Sequence, residues 1–380
     1  MANTTLALFM PSKTSFYEGL FESMKKAFEV HNYTVVGGCG FLESNELISF
    51  IDTNKPKVFF EMNRCKSEIN NFPKEVLHVC WLVDLLGRRL EEIKGSEIVY
   101  FFSTEWMKDF KPLYKCKIDW LPPATDSEVY YPVLDSKKVF QSVFLGHIPN
   151  PWSEDLLQRA VYEDKNEKIL FLDILENFEQ QWASQDKIVN NDSYMEEVSD
   201  WFKSKNLYDI EIRDKILRYD IGCRIIRKAR RTYFIDWLLQ NADVKPLAIF
   251  GGANWKNWSQ YEGLYQKELH TPSEINSVFN QSNIVLHEGV GLHFRVFDAM
   301  ATGVPVLVRK SEQDSQFGGI GTIFEENKDY VSIDINNCNN FKISQEKLNS
   351  IAIRAREEVL KNHTWFHRLS KVIRDIDELE

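Results

Sequence analysis

The 380-residue sequence lacks several features that would assign a function class directly. It has no apolar run near the roughly 20 residues that span a bilayer, and Leu6–Met10 is too short for the core of a secretory signal. Its six cysteines lack the CxxC spacing of zinc or redox sites, so we expect reduced thiols in a cytoplasmic protein. A net charge of −10 argues against a general nucleic-acid binder, which needs a basic surface.

The chain is long enough for two domains that each bury a core. In its first third, apolar stretches alternate with helical patterns, which predicts a doubly wound parallel sheet of α/β class. The segment 121–138 has three prolines and no helical period, so we interpret it as a hinge between domains of residues 1–135 and 136–361. The strands predicted for the first domain are Thr5–Met10, Thr34–Val36, Lys57–Glu61, Leu77–Val83, Ile98–Phe102 and Ile118–Leu121.

The most informative segment of the second domain spans residues 282–308. A loop that follows a buried parallel strand and leads into a helix favours an anion such as a diphosphate. On that helix Arg295 could face phosphate, and Asp298, one turn later, could accept hydrogen bonds from sugar hydroxyls. The parts of the segment are a strand (Ile284–Leu286), a loop with Gly289 and Gly291, the helix, and a second strand (Val304–Val308).

Two residues at predicted strand ends are candidates for catalysis. Asp84 could deprotonate an acceptor hydroxyl as a general base, or it could cap the following helix. His147 follows Gly146 at the end of the first strand of the second domain. It could contact a diphosphate or transfer a proton, or it could be a turn histidine held by the backbone.

Further candidates for donor binding lie at the other strand ends of the second domain. His287 and Glu288 precede the glycine loop and should contact donor sugar or acceptor, and His293 could assist phosphate binding at the helix start. Trp255 could stack on a base or sugar and Lys256 could neutralise phosphate, or both could pack under a loop.

About a hundred residues separate two predicted strands of the second domain, Val143–Leu145 and Leu247–Phe250, where one crossover helix would suffice. We therefore predict a helical insertion at about residues 152–240. Its last helix carries the basic run Arg224–Arg231, which we interpret as a solvated face, with membrane-surface or phosphate binding as the alternative.

Several motifs, in order along the chain, resemble those of GT-B glycosyltransferases. The motifs resemble in particular those of the group related to the spore-maturation protein CgeB, which is distantly similar to the family 4 enzymes. Beyond the glycine loop, the resemblance includes Gly251 and Gly252 after a strand of the second domain. The matching segments are Trp81–Asp84, Leu121–Asp126, Val143–Gly146, Phe250–Gly252, Ser282–Ile284, Arg295, Phe297–Ala301, Gly303 and His363–Thr364.

The resemblance implies two Rossmann-like domains that face a central cleft, with a closing helix at residues 362–380 that packs back on the first domain. It implies a glycosyltransferase that uses a nucleotide-sugar donor without a metal or other cofactor. The expected acceptor is a glycan, a lipid-linked molecule or a protein, not a nucleic acid. A role in bacterial surface glycan synthesis and peripheral contact with the inner membrane face are further expectations.

One departure from the resemblance affects the chemistry. Retaining family 4 enzymes carry two glutamates separated by seven residues, where this sequence has Val290 and Asp298. The stereochemical outcome therefore stays open, and Arg295 and Lys256 become the leading phosphate partners. The alternatives are a sugar-nucleotide epimerase of the same fold and a non-catalytic carbohydrate-binding or assembly protein. An NAD-dependent dehydrogenase is disfavoured because no GxGxxG follows the first strand.

Overall fold

The computed structural model describes residues 4–85, 88, 90–110, 115–185, 191–208, 212, 214–289, 292–338 and 340–379. Two parallel sheets, of six and five strands, organise this part of the chain, and helices surround both sheets. This architecture confirms the predicted α/β fold class.

The first sheet is formed by residues 4–120 in the strand order β2-β1-β3-β4-β5-β6, with every neighbouring pair parallel. Its central strands are buried and mostly apolar because helices cover both faces of a parallel sheet, and their two buried polar residues, Glu61 and His78, pair with each other. The strands are β1 (Thr4–Met10), β2 (Tyr33–Cys39), β3 (Val58–Met62), β4 (Leu77–Leu82), β5 (Ile98–Phe101) and β6 (Lys117–Trp120), and the helices are α1 (Ser15–Val30), α2 (Ser44–Asn54) and α3 (Thr104–Phe110).

The second half begins with β7 (Phe140–Leu145), and an insertion follows before the next strand of the sheet. The predicted helical insertion is present, with a two-stranded antiparallel sheet added to it. A buried cluster that includes Phe178, Trp182 and Tyr194 gives the insertion its own apolar core. Its elements are α4 (Glu154–Leu157), β8 (Ala160–Glu163), β9 (Lys168–Leu170), α5 (Phe171–Ser184), α6 (Asn191–Ser204), α7 (Lys215–Tyr219) and α8 (Ile226–Asn241).

A π-helical segment, Asp220–Ile225, joins α7 to α8 in one continuous helical run. Asp220 is fully buried at the start of this segment. Its carboxylate accepts hydrogen bonds from Arg159 at 2.9 Å and from Arg224 at 2.6 Å. These ion pairs fix the insertion around the point where the helix changes its hydrogen-bonding pattern.

The remaining strands complete a second parallel sheet in the order β10-β7-β11-β12-β13. Apolar side chains of α11 and of the strands below it form most of one core cluster of this half. These elements are β10 (Leu247–Phe250), α9 (Ser259–Glu262), α10 (Pro272–Asn280), β11 (Ser282–His287), α11 (Phe294–Ala301), β12 (Val306–Arg309), β13 (Val331–Ile333), α12 (Gln345–Asn362) and α13 (Trp365–Asp377).

The two halves are joined by more than the hinge. Helix α13 packs on the first sheet, where Trp365 and Leu369 are part of the same apolar core as α1. Near its start, Thr364 forms a parallel backbone bridge with Thr125 of the hinge. Phe294, the first residue of α11, inserts its ring among aromatic residues that come mainly from the first half. Those partners are Phe16, Trp81, Phe102 and Trp365.

Among the helices in the described ranges, none combines the length and the apolar character needed to cross a membrane.

Candidate functional site

A crevice opens at the carboxyl ends of β7 and β11, which lie side by side in the second sheet. From β7 the chain passes to β10 on one side, and from β11 it continues to β12 on the other. Such a reversal of strand order leaves a space beyond the strand ends, which is where open α/β sheets bind ligands. The loops that follow β7, β10 and β11 therefore carry the candidate site.

Glycines allow these loops to approach each other closely. Gly251, after β10, has a φ of +127°, and a Cβ added there would lie 2.0 Å from the carbonyl oxygen of Gly146. A Cβ at Gly146 would in turn lie 3.2 Å from the guanidinium of Arg231, and one at Gly252 would lie 3.2 Å from the Cβ of His147. Side chains at these positions would close the space that the arginine and the histidine occupy.

Two arginines from different elements meet one buried carboxylate at the crevice. Arg231 of α8 donates from Nε to Oε1 of Glu288 at 2.6 Å, and Nη1 of Arg295 on α11 lies 3.6 Å from Oε2. Both guanidiniums also donate to carbonyl oxygens at the end of β7, Arg231 to His147 and Arg295 to Leu145. These contacts fix the planes of both guanidiniums before any ligand arrives.

The charges in this cluster strongly affect one another. Burial raises the pKa of Glu288, but Arg231 and Arg295 outweigh that effect and hold its pKa well below the usual range. Burial lowers the pKa of Arg295 to about 10, which still leaves it positively charged at neutral pH. Two cations and one anion therefore coexist in a poorly hydrated space, and their sum is positive.

His147 lies at the crevice, where its ring is crowded by arginines. Desolvation of the ring and the charges of Arg231, Arg227 and Arg295 lower its pKa to about 3, so the imidazole is neutral at physiological pH. Its Nε2 lies 2.8 Å from Nη1 of Arg227 and must accept, since a guanidinium only donates. The ring proton is then on Nδ1, which makes His147 a hydrogen-bond donor rather than a base.

Arg227 brings a third guanidinium to the crevice and lies between the two halves of the protein. Burial lowers its pKa, but Cys223, Tyr219 and Asp84 together raise it above the usual value. One of these charges, Asp84, belongs to the loop after β4 in the first half of the protein. The positive charge of Arg227 therefore interacts with the exposed carboxylate of Asp84 in the first domain.

Asp84 is positioned by its backbone. Its N–H and that of Val83 both donate to Oδ1 of Asn63, at 2.9 and 2.7 Å. Asn63 adopts a left-handed φ of 64°, which turns its side chain back under the loop. The side chain of Asp84 is exposed at the crevice, where a carboxylate could accept a proton from a bound hydroxyl group.

Trp255 and Lys256, which were predicted to contact the sugar donor, do not lie among the side chains of the crevice. The indole of Trp255 is fully buried, packs on Phe144 and Tyr261, and donates to the carbonyl of Gly146 at 2.9 Å. The prediction that it stacks on a ligand is therefore wrong, and its role is to support the Gly146 turn. Lys256 is exposed and lies over the ring of Tyr265, 5.4 Å from its centroid, outside the arginine cluster.

The other predicted residues of the β11 loop lie at the crevice. His293 is the N-cap of α11, and its Nδ1 accepts from Nε of Arg295 at 3.2 Å. Burial, Arg295 and His287 hold the pKa of His293 well below its usual value. His287 is buried with its Nδ1 at 3.9 Å from Glu288, and Gly289 lies against its ring. Gly291 lies outside the described residues.

Asp298 lies in the second turn of α11 and is buried beside the hinge. Its Oδ1 accepts from the hydroxyl of Thr125 at 2.8 Å, and Tyr130 also hydrogen-bonds to it. Burial raises its pKa well above the usual value despite these contacts. It lines a cavity of about 450 Å³ between the two halves, walled mainly by α1, the hinge and the segment 268–275. Phe294, next to Arg295, also lines this cavity.

Sequence reasoning did not single out Arg227 and Arg231 within the basic run Arg224–Arg231, and its preferred interpretation of that run as a solvated face was wrong. The side chain of Arg231 is only 12% exposed and is paired with Glu288. The available signal was the spacing, because residues four apart on a helix lie on one face. Within the described residues, no three His, Cys, Asp or Glu side chains are grouped so that they could hold a metal ion.

Comparisons with known proteins identify a similar sequence family for part of the chain and similar folds for nearly all of it. Residues 227–374 match a family model described as glycosyl transferase-like. The matched segment begins at Arg227 and includes Arg231, Glu288 and Arg295. None of the curated proteins matches the sequence significantly.

Two solved structures are similar over nearly the whole chain. One is an alpha-glucosyltransferase in complex with UDP and a 13-mer DNA containing a central A:G mismatch, with a TM-score of 0.56 and 9% identity. The other is an alpha-glucosyltransferase in complex with UDP and a 13-mer DNA containing a HMU base, with a TM-score of 0.52 and 8% identity. Each covers 99% of this chain and 100% of its own. The protein therefore has the GT-B fold, and its residues 227–374 are similar to glycosyl transferase-like domains.

Proposed function

We propose that the protein transfers a sugar from a nucleotide-activated donor to a hydroxyl group of an acceptor. The observation that carries this proposal is that Arg231 and Arg295 converge on a single buried carboxylate, Glu288, directly after β11, while Arg227 binds the neighbouring His147. The cluster has an excess of positive charge in a poorly hydrated crevice. A diphosphate matches that charge, and guanidiniums bind phosphate oxygens with paired, directional hydrogen bonds.

The donor would lie along the second sheet. Its diphosphate would contact Arg231 and Arg295, with the Nδ1–H of His147 as a neutral donor beside them. The nucleoside would occupy the cavity lined by Asp298, whose second carboxylate oxygen could accept from a ribose hydroxyl. A volume of about 450 Å³ is in the range of small-molecule pockets, and Phe294 connects this cavity to the arginine next to it in sequence.

In the transfer step, the bond between the anomeric carbon and the diphosphate oxygen breaks, and the acceptor oxygen forms a new bond to that carbon. The arginines would stabilise the charge that develops on the leaving diphosphate, the task that a metal ion performs in other active sites. Asp84 would take the proton from the acceptor hydroxyl. Its exposure at the crevice and its interaction with Arg227 support this role.

The first test is nucleotide binding. Isothermal titration with UDP, GDP, ADP, CDP and dTDP should identify at least one nucleoside diphosphate that binds the wild-type protein. Arg231→Gln should weaken that binding about 30-fold or more, because a charged hydrogen bond contributes roughly 2 kcal/mol. Arg354→Gln is the matched control, since Arg354 is half exposed and pairs with Glu325 and Asp329 rather than with Glu288 or His147.

Two results would overturn the proposal. One is that none of the five nucleotides binds, and the other is that Arg231→Gln and Arg354→Gln bind equally well. Incubation with the matching nucleotide-sugar separates the rival functions. Release of nucleotide that depends on acceptor supports transfer, whereas an isomerised sugar in the absence of acceptor would identify an epimerase.

A further inference from the structure

We propose that the acceptor is a saccharide, and that its ring stacks on the side chain of Tyr219, between Asp84 and Arg227. This inference rests on the proposed function and specifies the acceptor side of the same crevice. The residue that carries it lies in the insertion, away from every motif that the sequence resemblance includes.

Tyr219 is the last residue of α7, immediately before the π-helical segment. It is 46% exposed, although Asp220, its neighbour in sequence, is fully buried. Its hydroxyl group hydrogen-bonds to the guanidinium of Arg227, which is eight residues later on the same helical run. That contact holds the hydroxyl edge of the ring at the crevice and leaves much of the side chain accessible to a ligand.

Arg227 connects this ring to the reaction centre. Its Nη1 lies 2.8 Å from Nε2 of His147, beside the proposed position of the diphosphate. It also interacts electrostatically with Asp84, the proposed base. A molecule resting on Tyr219 would therefore lie close to the carboxylate that takes the proton and to the group that holds the donor.

This combination of groups favours a sugar over other hydroxyl compounds. A pyranose ring has one apolar face of C–H groups and a rim of hydroxyl groups. The apolar face packs on an aromatic ring, and the rim can hydrogen-bond to a carboxylate and a guanidinium. Ile216, one turn before Tyr219 and 64% exposed, extends the exposed apolar surface by one side chain.

The test measures saccharide binding directly by saturation-transfer difference NMR. The protein, saturated with its preferred nucleoside diphosphate, would be mixed with methyl glycosides of common hexoses and with the corresponding disaccharides. For at least one of these probes, we expect the strongest signals from the ring C–H protons of one face. Tyr219→Ala should weaken binding about tenfold or more, whereas Tyr219→Phe, which keeps the ring, should retain most of it.

Tyr208→Ala is the matched control, because Tyr208 is also an exposed tyrosine of the insertion, at 65%. It should bind the probes like the wild type. Tyr219→Leu serves as a second variant that removes the aromatic ring, and melting temperatures of all variants verify that they fold.

The outcomes separate this inference from the proposed function. Normal nucleotide binding with no saccharide binding, or saccharide binding that Tyr219→Ala and Tyr219→Leu leave unchanged, would overturn the inference alone. Failure of every nucleotide to bind would overturn the proposed function, and the saccharide measurement would then be made on the nucleotide-free protein.

Discussion

Glu288→Gln is the most revealing substitution, because it should lower stability and improve diphosphate binding at the same time. The carboxylate of Glu288 neutralises Arg231 at 2.6 Å and Arg295 at 3.6 Å, and the residue is only 7% exposed. Removing one partner of a buried ion pair typically costs about 3–5 kcal/mol, since the opposite charge is left uncompensated. A diphosphate would then restore the missing negative charge.

The size of both effects follows from the structure. We expect a loss near the lower limit, about 3 kcal/mol, because the arginines keep their hydrogen bonds to the carbonyls of Leu145 and His147. For 380 residues that unfold together, the unfolding entropy is about 0.8 kcal/mol per degree, so the melting temperature should fall by about 4 °C. Affinity for the diphosphate should rise about tenfold, or about 1.4 kcal/mol. The increase in melting temperature that the diphosphate causes should then be about 2 °C larger than in the wild type.

Differential scanning fluorimetry with and without the preferred nucleoside diphosphate measures both quantities. Glu325→Gln is the control, since Glu325 pairs with Arg354 and Lys328 at the surface. It should change neither value appreciably, because exposed pairs contribute little. If Glu288→Gln melted like the wild type and bound the diphosphate more weakly, Glu288 would not be the counter-charge of an anion site, and the reasoning would fail.

Three other substitutions test separate parts of the structure. Asp84→Asn should reduce transfer by about 10²-fold or more while leaving nucleotide affinity unchanged, and a fully active variant would mean that the base lies elsewhere. Gly251→Ala should destabilise the protein by more than about 2 kcal/mol in urea, because its Cβ would meet the Gly146 carbonyl; Gly263→Ala, with open space around it, is the control. Burial raises the pKa of Asp314 from 3.8 to about 6. Ionisation of Asp314 therefore destabilises the folded state increasingly as the pH rises from 3.8 to about 6, and by a constant amount above that. Asp314→Asn should therefore stabilise the protein by up to about 3 kcal/mol at pH 7.5 and by less as the pH falls toward 4, and an equal gain at both pH values would contradict this.

The sheets were the most predictable part of the fold. The predicted strand Leu247–Phe250 matches β10, and each predicted strand of the first domain overlaps an observed one, because buried parallel strands leave continuous apolar runs. The short strand β13 (Val331–Ile333) was not predicted, since three residues give too little pattern. The pair β8 and β9 was missed for the same reason.

The candidate site was only partly predictable, because sequence places a residue at a strand end without specifying its partners. Arg295 and Glu288 were expected at the crevice and lie there. Arg231 was missed because its role depends on how the insertion packs against β7. Trp255 was misinterpreted because an aromatic residue beside a lysine has the same pattern in a core as in a binding site.

The chain crosses between its halves twice, at the hinge and again before α13, and the two crossings are bonded to each other at Thr125 and Thr364. A single connecting strand would permit bending and twisting about several axes. Two adjacent segments joined by a backbone bridge resist twisting, because rotation about their length would break the bridge. Relative motion of the halves should therefore be confined to one opening angle, and opening would separate Phe294 from its aromatic partners Phe16, Trp81 and Phe102. A substrate would then meet the same alignment of Asp84 and the arginines each time the cleft closes.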